Sequence, residues 1–155
     1  MTQKEYPMIV PVDQSNLSAA AVLHSAAWQA AHRPFCTAEF VAEHTPARQE
    51  AYLKEKIARG SRFFLLTENS PIGIVSITGG LIEDLYILPE AQCKGYGTML
   101  LSYAISQCND TPTLWILENN AGAERLYRKL GFRPTGRRNC AGTLAEVEFA
   151  KGQEL

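Results

Sequence analysis

Long apolar runs are missing from this chain of 155 residues: none approaches the ~18 uninterrupted apolar residues of a membrane-spanning helix. The opening stretch MTQKEYPMIVPVDQ also lacks an apolar segment of signal-peptide length, so neither a membrane partner nor export is expected. Positive charge is not concentrated. The 15 Lys and Arg residues are matched by 16 Asp and Glu, and the densest basic spots, RGSR (59–62) and GRRN (136–139), read as solvated turns. A nucleic-acid partner would need a basic stripe or patch, and none is present. Cysteine is sparse and scattered. Cys36, Cys93, Cys108 and Cys140 make no CxxC pair and have no histidine at ligand spacing, so the expectation is free thiols in a reducing cytoplasm and no metal site.

What the chain does contain is an ordinary globular composition, 46% hydrophobic and 20% charged, at a length that fits one domain over residues 1–155. MIVPV (8–12) predicts a first strand. From Ser15 to His32, Leu17, Ala20, Ala21, His24, Trp28 and Ala31 recur at helical spacing until Pro34 stops them. A short helix is expected over Thr37–His44. Thr45-Pro46 then supplies a cap and a first-turn proline for a further helix, which Gly60 can close. Next the period shortens. RFFLLTE (62–68) and IGIVSIT (72–78) read as a hairpin turning at Asn69-Ser70-Pro71, and LIEDLYIL (81–88) as a third strand ended by Pro89. Residues 97–108 predict a helix, TLWIL (113–117) a buried strand, and 120–130 a helix capped by Asn120 and stopped by Gly131. Phe132 starts another strand, and LAEVEF (144–149) is the last, with Ala145, Val147 and Phe149 on one side. The order β-α-α-β-β-β-α-β-α-β-β implies one α+β sheet with helices on its faces.

Between the third strand and the next helix lies QCKGYGT (92–98). Glycines at 95 and 97 let the backbone come close to a ligand. The unsatisfied N–H groups of a helix start, with the helix dipole, favour an anion there, and phosphate is the natural one. A P-loop needs GxxxxGK with serine or threonine, which is absent; a dinucleotide fingerprint needs a third glycine where Leu100 stands, although Glu118 mimics its ribose-binding acid. A tight strand-to-helix turn without any ligand is the remaining reading of the two glycines alone.

QCKGYG, following LYILPE, resembles Q/R-x-x-G-x-G/A, the pyrophosphate loop of the GNAT superfamily of N-acetyltransferases. NNAGAERLYRKLGF (119–132) is similar to that superfamily's second signature, N-x-x-A-x-x-L-Y-x-K-x-G-F, at every marked position. The resemblance implies a single mixed, mostly antiparallel, splayed sheet of about seven strands with helices on both faces. It implies acetyl-CoA as co-substrate, no metal, and an amine acceptor that is a small molecule or a peptide; a homodimer is compatible with it. Gln92, Cys93, Lys94, Gly95, Tyr96, Gly97 and Thr98 would hold the pyrophosphate. Leu85, Tyr86 and Ile87 would run beside the pantetheine arm, an N–H near Ile87 would polarise the thioester carbonyl, and Asn120 would touch the arm as well as cap its helix.

Acetyl transfer to an amine needs placement, a neutral nucleophile and an acid for the leaving thiolate. Glu83 has the spacing to the loop that resembles histone-type members of the superfamily, in which that glutamate is the base, directly or through water; an exposed carboxylate near a strand end is the plain alternative. Asp84 should point to the opposite side if alternation holds. Tyr127 falls where the family places the acid that protonates the thiolate. Its plain reading is packing beside Leu126 and Leu130. By resemblance the first helices form the acceptor wall, which brings in Trp28 and His32, with Glu118 near the cleft, and the acids favour a cationic amine. Set against an enzyme are a non-catalytic CoA-binding or regulatory domain and a nicotinamide-dependent oxidoreductase, which differ in the ligand that should raise the melting temperature.

Overall fold

Residues 7–140 and 145–152 are described by the computed structural model. Among them, one sheet of 7 strands runs in the order β1-β2-β3-β4-β5-β7-β6. Its members are β1 (Met8–Pro11), β2 (Arg62–Glu68), β3 (Ser70–Thr78), β4 (Leu81–Ile87), β5 (Thr113–Leu117), β6 (Phe132–Asn139) and β7 (Glu146–Lys151). Every neighbouring pair is antiparallel except β4 with β5. The helices are α1 (Leu17–His32), α2 (Ala38–Ala42), α3 (Pro46–Ala58), α4 (Tyr96–Gln107) and α5 (Ala121–Lys129). None of them is long and apolar enough to cross a membrane.

The central strands are apolar on both faces because both faces are covered. Phe63 and Leu65 of β2, with Ile74 of β3, pack against Ala20 and Leu23 of α1 and Leu53 of α3. Phe64 and Leu66 point the other way, with Val75 and Ile77, onto Leu100, Leu101 and Ala104 of α4. Burying each such large side chain contributes about 1.5–3 kcal/mol. The helix starts follow their caps. Thr37 accepts from the Phe40 amide, and Thr45, ahead of Pro46, accepts from the Arg48 amide, at 3.2 Å in each case.

Three local expectations change. The hairpin turn is Asn69 alone, in the left-handed region at φ 66, while Ser70 and Pro71 already pair with Glu68 and Thr67. Proline is tolerated because the register slips between Leu66 and Thr67, so no regular ladder bond is lost. GRRN is the end of β6 rather than a turn, its two arginines paired with Glu148 and Glu118. The last strand spans Glu146–Lys151, and residue 144, expected to begin it, lies outside the described residues.

The feature that positions the site is an irregularity in β4. Ser76 pairs with Glu83 and Ile74 with Tyr86, so β4 uses one more residue than β3 over the same stretch. The extra residue is absorbed at Asp84, whose φ is 54. Such a bulge bends the strand and re-aims its side chains. On its other edge β4 meets β5 only at Leu81–Thr113, and beyond that pair the two strands part. The edge of β4 from Ile82 to Ile87 therefore borders a gap in the middle of the sheet.

Candidate active site

At the end of β4 a short 3₁₀ turn, Pro89–Ala91, leads into the glycine loop. Cys93 and Gly95 both have positive φ, 62 and 87, and Gly95 is the residue preceding α4. Among the described residues, no acceptor is found for the amides from Cys93 to Thr98, whereas Gln92 and Met99 donate to Pro89 and Gly95. The Gln92 side chain ties the loop to the strand by donating to the Ile87 carbonyl at 3.0 Å. Lys94 is exposed, as is the Cys93 thiol. The Tyr96 hydroxyl is turned away to Glu68, so only its backbone belongs to the loop.

A Cβ added at Gly97 would meet only Leu126 Cδ2 at 3.7 Å, an ordinary contact, and one at Gly95 would meet nothing within 4 Å. Packing inside the protein does not require glycine at 97; close approach from outside would. On the pyrophosphate-loop reading, Gly97→Val should fold normally yet weaken CoA binding by roughly tenfold or more in calorimetry, while Gly95→Val should lose both affinity and some stability, since valine is strained at φ 87. Unchanged affinity in both variants would leave the loop as a turn only.

The gap between β4 and β5 opens into a cavity of about 240 Å³ that Leu85, Tyr86, Trp115, Asn120, Tyr127 and Glu146 help to line, with His32 and Phe35 arriving from α1 and the loop after it. Asn120 caps α5 by accepting from the Ala123 amide at 3.2 Å. Tyr127, on the next turn, packs its ring 6.0 Å from Phe132. Its hydroxyl makes no hydrogen bond among the described residues, and burial pushes the phenol up to about 12. It is thus a neutral donor throughout the physiological range.

A second cavity, about 410 Å³, adjoins the first and shares Glu83, Asp84, Tyr86, Trp115 and Glu146 with it; α1 and α3 supply His24, Trp28, Gln49 and Tyr52. Its floor is an ordered polar cluster around Asp84. That carboxylate accepts from His24 Nε2 at 2.9 Å, Tyr52 Oη at 3.1 Å, Lys56 Nζ at 2.9 Å and Ser76 Oγ at 2.8 Å. Gln49 donates to His24 Nδ1 at 2.8 Å, which leaves the proton of a neutral imidazole on Nε2, facing Asp84. Burial alone would raise the Asp84 pKa, but the donated bonds from His24 and the charge of Lys56 overcome it and hold the group at about 2. Burial likewise works against the Lys56 ammonium, and the nearby Asp84 and Glu83 carboxylates more than compensate, raising its pKa.

Lys56 also reaches Glu83 Oε1 at 2.9 Å, so one ammonium holds both acids. This overturns the expected alternation: the bulge turns Asp84 to the same side as Glu83. Trp28 is sandwiched between His32 and His44, with ring centroids 3.8 Å and 3.5 Å away. His32 donates from Nδ1 to the Trp28 carbonyl oxygen at 2.8 Å, so Nδ1 carries the hydrogen. Burial lowers its pKa, and that bond offsets the effect only in part. Glu118 stands apart. The strand ends at Leu117, Asn119 turns the chain at φ 76, and Glu118 pairs with Arg138 at 2.8 Å, lining neither cavity.

Sequence reading passed over Gln49, Tyr52, Lys56 and Glu146, and counted His24 only as part of an apolar face. A signal was there: positions 49, 52 and 56 form a polar stripe on α3, and a histidine within an apolar helix face needs a buried partner. No group of side chains able to hold a metal ion occurs among the described residues.

A mixed sheet that parts between β4 and β5, with a glycine loop opening α4 and a tyrosine of α5 facing the gap, is the fold frame of the site. The chain belongs to the acetyltransferase (GNAT) family, whose sequence profile matches residues 26–132, and it is an enzyme of that class. It is 28% identical over 102 residues to the peptidyl-lysine N-acetyltransferase YjaB of Salmonella typhimurium, covering 65% of this chain and 70% of that protein. In fold it is similar to the PaiA N-acetyltransferase of Thermoplasma acidophilum, solved in complex with coenzyme A (TM-score 0.71, 16% identity, 92% and 98% of the two chains). It is also similar to YncA of Salmonella typhimurium, solved with its cofactor acetyl-CoA (TM-score 0.69, 19% identity, 94% and 92%).

Proposed function

We propose that the protein moves an acetyl group from acetyl-CoA to a primary amine by direct attack on the thioester. The observation that carries this reading is the continuity of three features: acceptor-free amides at Cys93–Thr98, an open β4 edge from Ile82 to Ile87, and the Tyr127 hydroxyl in the cavity beside that edge. The amides, with Lys94, suit a pyrophosphate. An extended arm suits the strand edge, because main-chain groups there can pair with it as with another strand. Acetyl-CoA supplies the activated acyl group. The chain supplies the rest: an amide near Ile87 for the carbonyl oxygen, Asn120 beside the arm, Glu83 to take the proton of the amine through water, and Tyr127 to give one to the sulfur as its bond to carbon breaks.

An amine of the lysine type is supported by the acids of the cleft, by its aromatic walls, and by the substrate in the name of the Salmonella relative. Trp28 and His32 form the acceptor wall in this reading, and the fold reads as one catalytic unit. The test is transfer of acetyl from acetyl-CoA to a panel of primary amines by purified protein. Binding of CoA without transfer to any of them would leave a CoA-binding domain instead.

Glu83→Gln should bind acetyl-CoA normally and turn over at least tenfold more slowly at pH 6–7, with the deficit shrinking as pH rises. A variant without the proton acceptor depends on amine that is already neutral, and that fraction grows with pH. Parallel pH profiles for the variant and the unmodified enzyme would remove Glu83 from the proton path.

A further inference from the structure

The other acids on this side of the sheet, in and outside the cavities, already have partners within the chain. Glu83 and Asp84 share Lys56, Glu118 pairs with Arg138, and Glu148 is held by Arg137 at 3.4 Å and Thr135 at 2.8 Å. Glu146 differs. It lines both cavities, and among the described residues no Lys, Arg or His comes within ion-pair distance of it. Its place follows from the register of β7. Glu146 pairs with Leu117 and Glu148 with Trp115, so these side chains share the sheet face opposite the one where Leu114, Ile116 and Phe149 pack in the core with α4. Helices α1 and α3 contact the β2–β4 half of the former face, which leaves Glu146 and Trp115 as cavity wall.

We propose that Glu146 selects the acceptor by receiving a second positive charge that the acceptor carries beyond the amine that reacts. The inference rests on the amine-acetylating reading above and deepens it: the substrate class is a diamine, or a lysine-type amine with another cationic group a few bonds away. A partly buried carboxylate with no cationic partner among the described residues, in an aromatic-walled cavity, is placed to receive a cation from outside. Tyr86 beside it adds a face on which an alkylammonium is favoured, while Trp115 already carries the Arg137 guanidinium 5.7 Å from its ring centroid. The reacting amine is the less suitable partner, because an ion pair stabilises its protonated, non-nucleophilic form. The competing cations are committed elsewhere: Lys56 to Glu83 and Asp84, Arg48 at the rim of the second cavity to Glu43 at 3.4 Å, Arg137 to Glu148 and Arg138 to Glu118. Burial disfavours the charged form of His32.

The test compares 1,5-diaminopentane with pentylamine, which differ by the distal ammonium, in acetyl transfer from acetyl-CoA. The unmodified enzyme should favour the diamine in kcat/KM by roughly 10- to 100-fold, the value of a hydrogen bond to a charged partner. Glu146→Gln should collapse that ratio towards one, mostly by raising KM for the diamine with kcat largely kept, and Glu146→Asp should restore part of it. Melting of both variants near that of the unmodified enzyme excludes misfolding as the cause. Equal use of the two amines by the unmodified enzyme, or a ratio that survives Glu146→Gln, overturns the assignment to Glu146 while leaving amine acetylation standing. Acetylation of neither amine, nor of any in the wider panel, removes both.

Discussion

Replacement of Tyr127 by phenylalanine should lower turnover by roughly 10²–10⁴-fold, the usual contribution of a positioned general acid, and leave acetyl-CoA affinity and melting almost unchanged. The substitution deletes one oxygen that has no hydrogen-bond partner among the described residues, and the ring keeps its packing against Phe132 and the core beneath α4 and α5. Burial, which pushes the phenol to about 12, has two consequences of opposite sign. It keeps the proton in place at any working pH, so the donor is always present. It also makes complete transfer to a free thiolate, whose conjugate acid titrates at about 8.5, uphill by about 5 kcal/mol. The proton is therefore most useful while the carbon–sulfur bond is breaking and negative charge is building on sulfur. The deficit of the variant should shrink with acetyl donors whose thiols have lower pKa values, because their anions leave with less help. Turnover near that of the unmodified enzyme, in a step shown to be limited by chemistry, would exclude the acid role.

Much of this arrangement was legible in the residues. Alternation and apolar runs gave β2 and β3, capping gave the starts of α3 and α5, and the spacing of Gly95 and Gly97 between an apolar strand and an apolar helix marked the loop. The acceptor side was far less so, for a definite reason. Its geometry depends on one residue of β4 being out of step, and a pattern of period 2 carries no mark of where a strand will bulge. Aspartate tolerates the left-handed region better than most residues, but at position 84 that preference becomes decisive only when α1 and α3 bring His24, Tyr52 and Lys56 over it. Glu146 was hidden likewise: its freedom from a counter-ion depends on where Arg48, Lys56, Arg137 and Arg138 settle, which local sequence does not encode. What could be read was local propensity, and what could not was the pairing of charges distant in the chain.

Asp84→Asn is the sharpest probe of that pairing, and it should destabilise the protein by about 3–5 kcal/mol, the usual cost of breaking a buried ion pair. Asparagine also tolerates positive φ, so the backbone at φ 54 is not the cause of the loss. The carboxylate now takes bonds from His24, Tyr52, Lys56 and Ser76. An amide offers one accepting oxygen and turns an NH₂ group towards donors, and Lys56 keeps only the half-exposed Glu83. The melting temperature should fall by on the order of 10 °C. The pH dependence gives a second reading with a fixed sign. Asp84 is lowered from 3.8 to about 2, so its stabilisation is fully present above the unfolded value and is lost as pH falls through the folded one. The gap in stability between the unmodified protein and Asp84→Asn should therefore be constant from pH 7 to about 5 and narrow by about 2–3 kcal/mol towards pH 2. Adding Lys56→Met to Asp84→Asn should recover part of the loss, since no part-buried ammonium is then left with only the half-exposed Glu83 as its partner. A single variant that costs under about 1 kcal/mol, or a double variant no better than the sum of its parts, would mean that the cluster orders the acceptor cavity without holding the fold together.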